Sequence, residues 1–522
     1  MVDCIKKEET TVRSKKALMN TAMSLLLQFV TAVCGFIVPR LIIGTYGSEV
    51  NGLVSSITQF LSYITLFEAG VGGVVRAALY KPLADKDIPK LSSIVSATEG
   101  FFRKIAYIFI FYMAALACFY PLIVNKSFGW GYTASLVVII GLSTFAQYYF
   151  GITYMVFLQA DQRRYITSAI QIITIILNTL LVVVFVKFNA SIHLLKFGTA
   201  VIYILRPLAQ NLYVKKKYGL EKKAEPDNTA ISQRWDGLGH HIAFFVNLNT
   251  DVVILTIWSK LANGFSIAEV SVYTVYYGVV NGVHNLTSAL STGMEAAFGN
   301  MLANKEKDNL REKFGLYEFL SFGLSTFMFT CTAILIVPFV QIYTKGVSDA
   351  NYIRPAFAYL LVAAYAVYTI RLPYNNLTLA AGHYRQTRNG AFVEAGINVV
   401  VSAVLVGFFG IIGVAIGTLA AMTFRTVQYA WYLSKNILIR KMSVFFKRVG
   451  CSLICASLSL IVNHFIPHIG VNSYLTWAVY GVQVALVTGI ITVLVNFLIF
   501  RNDFINIIAF FKKAFLSKIL KK

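Results

Sequence analysis

The sequence predicts an all-α polytopic membrane protein with about 14 transmembrane helices. They are expected to form two pseudo-symmetric six-helix lobes around a central cavity, with two further helices at the C-terminus. Three observations support this fold class. The hydrophobic fraction is 57% and the charged fraction only 13%, whereas soluble domains average about 25% charged residues. Apolar runs of membrane length recur from end to end, and the two halves of the chain resemble each other.

The first six predicted spans form one group. They lie near residues 18–44, 51–81, 101–124, 131–159, 165–187 and 192–214. The longest hydrophilic stretch of the chain follows them, with the sequence VKKKYGLEKKAEPDNTAISQR. This stretch separates the two halves.

The second group repeats the same rhythm. Its six spans lie near residues 236–259, 267–302, 315–343, 353–381, 389–409 and 411–433, and two more follow near 448–467 and 474–500. The tail FINIIAFFKKAFLSKILKK is apolar on one face and basic on the other. We expect it to lie on the inner leaflet, where anionic lipid attracts basic segments.

These spans define the predicted domain organisation. It consists of a cytoplasmic N-terminus (1–17), an N-lobe with spans one to six (18–216), a cytoplasmic linker (217–235), a C-lobe with spans seven to twelve (236–436), spans thirteen and fourteen (437–500) and a basic amphipathic tail (501–522).

The formal net charge is +23. On a soluble protein such a charge indicates nucleic acid as a partner. Here the basic segments occupy alternate loops along the chain, and the intervening loops are short and poor in charge. By the positive-inside rule this pattern places both termini in the cytoplasm. It accounts for the charge without nucleic acid.

An internal repeat is visible in the sixth and twelfth predicted spans. Four identities recur at one constant offset: Gly198, Thr199, Arg206 and Tyr213 match Gly417, Thr418, Arg425 and Tyr432. Each repeat has an even number of crossings, so the two halves run in the same direction. In transporters built this way, the substrate site lies between the halves near the midplane, and rocking of the halves gives alternating access.

Ionisable side chains inside the predicted spans are the candidate functional residues. They are four arginines, Arg76, Arg206, Arg371 and Arg425, and four acids, Glu68, Asp251, Glu295 and Glu394. Each charge costs at least ~2.5–3.5 kcal/mol to insert, so such residues usually face a bundle interior or a water-filled cavity. Converging guanidinium groups suit a phosphate or pyrophosphate.

Two alternatives stay open for these charges. The acids either bind a coupling ion, H⁺ or Na⁺, or hold the arginines in place, and all eight charges could instead form structural ion pairs or reach the headgroups. Asn247 and Asn249 in the seventh span could hydrogen-bond sugar hydroxyls or make interhelical contacts. The sequence contains no Walker motif, no HExxH and no GxSxG, so neither an enzymatic activity nor a metal or organic cofactor is expected.

The stretch YGSEVNGLVSSITQFLSYITLFEAGVGGVVRAAL resembles the start of the polysaccharide flippases. This family belongs to the multidrug/oligosaccharidyl-lipid/polysaccharide exporter (MOP) superfamily. The resemblance rests on the glycines Gly47 and Gly52, the acidic-x-Gly step at Glu68 and Gly70, and the arginine Arg76. In the second half, NLNTDVVIL with its aspartate and EVSVYTVYYGVVNGV resemble the family's seventh and eighth helices.

The resemblance implies a flippase of the bacterial plasma membrane. It would move undecaprenyl-pyrophosphate-linked oligosaccharide repeat units from the inner to the outer leaflet for capsule or exopolysaccharide assembly. Polysaccharide polymerase and glycosyltransferases are the implied partners. Two features depart from the family pattern: Glu68 stands where Asp is commoner, and two C-terminal helices are added, as in lipid II flippases. The first span has no arginine before Arg40, which argues against lipid II as the substrate.

Three other functions are compatible with such a chain. A cation- or proton-coupled multidrug antiporter on the same fold predicts a cavity dominated by acids, whereas arginines and acids are equally numerous here. A membrane glycosyltransferase or polymerase predicts a sizeable outer loop with catalytic residues, and none is visible in the sequence. A passive scramblase needs no coupling ion.

Overall fold

The computed structural model describes residues 2–68, 71–124, 127–221, 224–231, 238–262, 265–291, 294–467 and 470–509. Within these ranges the secondary structure is helical, with no strand. The predicted all-α class is confirmed.

The first ten helices cover the N-terminal half of the chain. They are α1 (Val2–Tyr46), α2 (Ser48–Ser62), α3 (Val71–Asp85), α4 (Ile88–Phe119), α5 (Pro121–Val124), α6 (Trp130–Ala146), α7 (Ile152–Ala160), α8 (Arg164–Lys187), α9 (Ile192–Tyr218) and α10 (Leu238–Leu261). Short 3₁₀ turns occupy Tyr63–Glu68 and Asn228–Ile231, and a π-helical turn occupies Gln147–Gly151.

Nine helices follow in the C-terminal half. They are α11 (Ala268–Ser288), α12 (Met294–Ala303), α13 (Lys307–Tyr343), α14 (Pro355–Ile370), α15 (Leu372–Ala380), α16 (Tyr384–Phe409), α17 (Ile411–Asn436), α18 (Ser443–Phe465) and α19 (Tyr474–Ile499). A 3₁₀ turn at Ala289–Ser291 separates α11 from α12.

Twelve helical stretches of the described chain are long and apolar enough to cross a membrane. They correspond to the predicted spans one to six and nine to fourteen. The predicted seventh and eighth spans correspond to α10, which has 24 residues, and α11, which has 21. Both have the length of about 20 residues that a crossing requires, although they are not among the twelve.

Two spans of the first repeat are interrupted, although each is predicted from the sequence as one continuous helix. The second span breaks at Tyr63–Glu68, between α2 and α3, and the fourth contains the π-helical turn at Gln147–Gly151. The sequence after Glu68 is rich in glycine, with Gly72 and Gly73 at the start of α3. Glycine is the poorest helix former after proline, which accounts for the first break.

The second repeat is interrupted in the corresponding two spans. The eighth breaks at Ala289–Ser291, and the tenth breaks at Arg371, between α14 and α15. Pro373 stands at the start of α15. Proline lacks an amide hydrogen and its ring clashes with the preceding turn, which favours a break at this point of the tenth span. The same two spans of each repeat are therefore broken, as a duplication predicts.

The helices form two compact units, Met1–Ser271 and Val272–Lys522. Helix α10 belongs by its packing to the first unit, where it contacts α2 and α5, although its sequence opens the second predicted repeat. The described part of the predicted linker packs on α4 in the same unit: Lys90 Nζ lies 2.7 Å from the Asp227 carboxylate, and the Asp227 amide donates to the Ser93 carbonyl.

Candidate functional site

Two arginines of the first unit have no acidic partner. Arg76, on α3, is half-buried and donates from Nη1 to Gln159 Oε1 on α7 at 3.0 Å. Arg206, on α9, donates from Nε to Thr174 Oγ1 on α8 at 2.5 Å, and its guanidinium lies 4.0 Å from the centroid of the Tyr203 ring. Within the described ranges, no carboxylate lies within 4 Å of either guanidinium. Each guanidinium thus keeps a positive charge that no described acid neutralises.

Glu68 ends the interrupted part of the second span. Its carboxylate accepts a hydrogen bond from the Tyr148 hydroxyl at 3.2 Å, and Tyr148 lies in the π-helical turn of the fourth span. The two irregular segments of the first unit therefore touch. Among the described side chains no cation pairs with Glu68, so Glu68 and Arg76 do not form the local ion pair that their spacing of two helical turns would allow.

In the second unit, Arg371, Glu394 and Arg425 form a buried charge cluster. Arg371 Nη1 lies 2.6 Å from Glu394 Oε1, and Arg425 Nε lies 3.6 Å from Glu394 Oε2. The exposed fractions are 5%, 5% and 2% for the three residues. One carboxylate is thus shared by two guanidinium groups, and the cluster keeps one net positive charge. For Arg371, Glu394 and Arg425, structural ion pairing, one of the two alternatives left open by the sequence, is therefore observed.

Besides its contact with Glu394, Arg425 donates hydrogen bonds to three neutral groups. Its Nη1 donates to the Thr387 carbonyl at 2.9 Å and to Gln428 Oε1 at 2.6 Å, and its Nη2 donates to the Tyr429 hydroxyl at 2.9 Å. Gly390 on α16 leaves room for this guanidinium, because a Cβ at that position would lie 2.2 Å from Arg425 Nη1. A side chain so fully bonded has little donor capacity left for a ligand.

Arg371 stands at the break between α14 and α15, with Tyr368 beside it. Its guanidinium lies 4.5 Å from the Tyr368 ring centroid, and the same ring packs against His284 of α11 at 4.5 Å. His284 Nδ1 lies 2.8 Å from Thr369 Oγ1. His284 was not among the residues predicted from sequence, although a histidine inside the eighth predicted span was a visible signal.

The other predicted site residues lie in different surroundings. Asp251, on α10, is buried. Asn249 donates to the Phe245 carbonyl of its own helix and accepts from Gln59 Nε2 at 2.7 Å. Glu295, on α12, is exposed and lies 3.5 Å from the Tyr384 hydroxyl. The side chain of Asn247 lies outside the described part of the chain.

Another buried carboxylate was not among the residues predicted from sequence. Glu318, on α13, is fully buried and accepts hydrogen bonds from Arg440, from Arg448 Nε at 2.9 Å and from the Tyr374 hydroxyl at 2.5 Å. Arg448 also donates to Asp503 at 3.0 Å. Its position inside the ninth predicted span was a visible signal in the sequence. The cluster fixes α18 to α13.

These contacts divide the intramembrane arginines into two kinds. Those of the first unit are bonded only to neutral groups, and those of the second unit share a carboxylate. A guanidinium without an acid suits a phosphate, which it binds through two parallel N–H···O bonds. In the described residues, no group of three His, Cys, Asp or Glu side chains is arranged to hold a metal ion.

No protein-family model matches this sequence, and no curated protein matches it significantly. Solved structures do match in fold. The lipid II flippase MurJ, in an inward closed conformation, matches with a TM-score of 0.66 at 13% identity, covering 90% of this chain and 98% of that one.

Two multidrug transporters also match. An inward-facing multidrug resistance MATE family transporter of the MOP superfamily has a TM-score of 0.59 at 12% identity, covering 83% of this chain and 99% of that one. A variant of the MATE transporter VcmN from Vibrio cholerae has a TM-score of 0.55 at 15% identity, with 82% and 99% covered. The chain therefore has the fold that MurJ shares with the MATE transporters.

Proposed function

We propose that this protein is a flippase of the bacterial plasma membrane. Its substrate would be undecaprenyl-pyrophosphate-linked oligosaccharide repeat units, carried from the inner to the outer leaflet by alternating access. The product would enter capsule or exopolysaccharide assembly, with polysaccharide polymerase and glycosyltransferases as partners. The observation that carries this proposal is the pair of guanidinium groups in the first unit, Arg76 and Arg206, which have no carboxylate partner among the described residues.

The physical argument starts from the cost of these charges. An arginine inside a membrane span costs ~2.5–3.5 kcal/mol on insertion scales, and such residues mark substrate or ion pathways. A structural arginine recovers part of that cost from an acid, as Arg371 does from Glu394. Arg76 and Arg206 bond only to neutral groups. Their retained charge favours a substrate with a phosphorylated headgroup.

The remaining predicted residues have supporting roles in this proposal. Arg371 and Arg425 keep one net positive charge over Glu394 and would add to the attraction for pyrophosphate. The amides of Asn247 and Asn249 would hydrogen-bond sugar hydroxyls. Glu68, Asp251 and Glu295 are the candidate coupling acids, for H⁺ or Na⁺.

A multidrug antiporter is the second candidate. The similarity to MATE transporters supports it, and so does the carboxylate of Glu68, which no described cation neutralises. A cationic drug would be attracted to such an acid and repelled by Arg76. The same fold hosts different substrates, so the charge of the substrate is the property that distinguishes the two candidates.

The test is complementation of a strain that lacks this protein. The Arg76→Ala and Arg206→Ala variants, each of which loses a guanidinium bonded only to neutral groups, should insert normally and yield no surface polysaccharide. Arg103→Ala is the matched control, because Arg103 is a partly exposed arginine on α4 that pairs with Glu99 at 3.2 Å. Normal polysaccharide from Arg76→Ala would overturn the proposal. In parallel, drug resistance conferred on a sensitised strain would support the antiporter.

A further inference from the structure

The two repeats differ at one position beside their matched arginines. The offset that pairs the sixth span with the twelfth, lengthened by one residue, pairs the fifth span with the eleventh and matches Asn178 with Asn398. At the same spacing, Thr174 of α8 matches Glu394 of α16. A threonine in the first repeat therefore occupies the position at which the second repeat has a buried acid.

The hydrogen bonds support this match independently of the sequence. Arg206 donates from Nε to Thr174 Oγ1 at 2.5 Å, and Arg425 directs Nε toward Glu394 Oε2 at 3.6 Å. The same atom of each arginine thus faces the matched residue. The acid neutralises Arg425, whereas the Thr174 hydroxyl is uncharged and donates to the Ile170 carbonyl of its own helix at 2.9 Å. The first unit therefore has the arginine of this pair without its acid.

Arg206 is also less enclosed than Arg425. Gly390, which leaves room for the Arg425 guanidinium, is matched by Ile170 in α8. Arg206 is half-buried, whereas Arg425 is 2% exposed. One face of the Arg206 guanidinium lies 4.0 Å from the centroid of the Tyr203 ring. Its bond to α8 uses Nε, and the edge formed by Nη1 and Nη2 carries further N–H donors. Such an edge can bind two phosphate oxygens at once.

Two buried amides lie one helical turn from this pair. Asn178 is four residues after Thr174 on α8, and Gln210 is four residues after Arg206 on α9, so each amide shares a helix face with its neighbour. The two are 5% and 1% exposed, and within the described residues neither Asn178 Oδ1 nor Gln210 Oε1 has a hydrogen-bond partner. The matched oxygen of Asn398 does accept, at 3.1 Å and 3.4 Å. Buried polar atoms are nearly always bonded, so both oxygens indicate donors from a ligand.

We propose that Thr174 makes the Arg206 site selective for a phosphorylated headgroup that carries hydroxyl groups, as a sugar phosphate or a sugar pyrophosphate does. Arg206 binds the phosphate because Thr174 leaves its charge unneutralised, and the amides of Asn178 and Gln210 accept from the hydroxyl groups. Thr174 is thus a specificity-determining position, and the two amides are ligand-binding residues. This inference deepens the proposed function and rests on it in one respect, that Arg206 holds the phosphate of the cargo.

The first experiment restores the acid. In Thr174→Glu the new carboxylate should pair with Arg206, as Glu394 pairs with Arg425, and exclude the phosphate. The purified protein is titrated with inorganic pyrophosphate, and binding is followed by the rise in Tm. The variant should bind at least about tenfold more weakly than the parent, because charge-assisted hydrogen bonds are lost. Thr174→Gln, which adds the same bulk without the charge, should weaken binding much less.

The charge-matched control is Thr229→Glu. Thr229 is exposed and lies in the 3₁₀ turn Asn228–Ile231, which packs on α3 and α4. This variant should bind pyrophosphate as the parent does. Surface polysaccharide should be lost in Thr174→Glu and retained in Thr229→Glu. Equal affinities of Thr174→Glu and Thr174→Gln for pyrophosphate would overturn the proposal.

The second experiment removes the amides and does not depend on how Thr174→Glu folds. Asn178→Leu and Gln210→Leu delete polar atoms that lack partners, so the Tm should stay the same or rise. Affinity for UDP-glucose, a soluble pyrophosphate ester with sugar hydroxyl groups, should fall about fivefold in each variant. Affinity for inorganic pyrophosphate should change far less.

Asn463→Leu is the matched control for the amides. Asn463 Oδ1 is likewise buried without a partner in the described part of the chain, but it lies on α18. This variant should bind UDP-glucose as the parent does. Unchanged UDP-glucose affinity in both Asn178→Leu and Gln210→Leu would remove the amides from the site.

The outcomes separate this inference from the proposed function. If the Thr174 and amide variants lower ligand affinity, but deletion of the protein leaves surface polysaccharide unchanged, the site is retained and the flippase is rejected. If Arg206→Ala abolishes export while Thr174→Glu exports and binds pyrophosphate as the parent does, the flippase is retained and the role of Thr174 is rejected.

Discussion

The guanidinium of Arg371 lies 2.6 Å from the carboxylate of Glu394, and both side chains are buried. Arg76 in the first unit lies within α3, which follows a helix break, and its hydrogen-bond partner is the amide of Gln159. Two arginines that look equivalent in sequence thus differ in available charge. We therefore expect changes in the Arg371–Glu394 cluster to lower stability, and changes at Arg76 to impair transport.

Removing the acid of the buried cluster should destabilise the second unit. Glu394→Ala leaves Arg371 and Arg425 buried without a counter-charge, and breaking a buried pair in this way costs about 3–5 kcal/mol. We expect a clear fall in the Tm of the purified protein. Glu312→Ala is the control, since Glu312 is largely exposed and lies 3.7 Å from Lys313 Nζ. Equal Tm values for the two variants would contradict this account of the cluster.

A methyl group at Gly390 should disturb the same cluster. In Gly390→Ala the new Cβ would lie 1.9 Å from Gln428 Oε1 and 2.2 Å from Arg425 Nη1, so both side chains must move, at about 1–3 kcal/mol for overpacking. Gly396→Ala on the same helix is the control, because nothing lies within 4 Å of its Cβ. Thermal unfolding should show a loss for the first variant and no loss, or a gain, for the second.

Arg76 should show the opposite balance of effects. Its side chain is half-buried and has one neutral partner. Arg76→Ala should therefore lower the free energy of unfolding by less than about 1 kcal/mol, and the Tm should fall only slightly. Surface polysaccharide should nevertheless be lost. Arg76→Lys should restore transport only in part, because an ammonium group cannot bind phosphate bidentately. A large Tm loss in Arg76→Ala would indicate a structural role instead.

Glu68 is the acid whose replacement should change coupling. Glu68→Gln keeps an oxygen that can accept from the Tyr148 hydroxyl and removes the titratable group. In proteoliposomes that contain lipid-linked oligosaccharide, an imposed proton gradient should accelerate transport by the parent and have no effect on the variant. Tyr148→Phe, which removes the hydrogen bond but keeps the acid, should still respond. A variant that responds as the parent does would exclude Glu68 as the coupling acid.

The placement of the helices could be predicted from sequence because long apolar runs and alternating basic loops are local signals. The fifth span was predicted near 165–187 and is observed at Arg164–Lys187. The interruptions were missed because one altered turn leaves the mean hydropathy of a span unchanged. Pro373 and the glycines after Glu68 were the only local signs of a break, and both also occur in continuous membrane helices.

The site was harder to predict because charge pairing depends on tertiary contacts. Arg371 and Glu394 are 23 residues apart; Arg371 lies at the break between α14 and α15, and Glu394 lies on α16. Composition and spacing identified both residues as unusual, but they could not indicate that the two meet. The same holds for Asn249 and Gln59, which are 190 residues apart. Glu318 is different, since an acid in a predicted span could have been found by counting.

The contacts of Glu318 have a consequence for biosynthesis. Its cationic partners, Arg440 and Arg448, are synthesised more than a hundred residues after it, so the ribosome delivers the acid into the bilayer well before the charges that neutralise it. A chain that stops short of residue 440 would lack both arginines that neutralise this carboxylate. Such truncated products should be unstable and rapidly degraded. The stability of the whole polypeptide therefore depends on synthesis of the C-terminal helices.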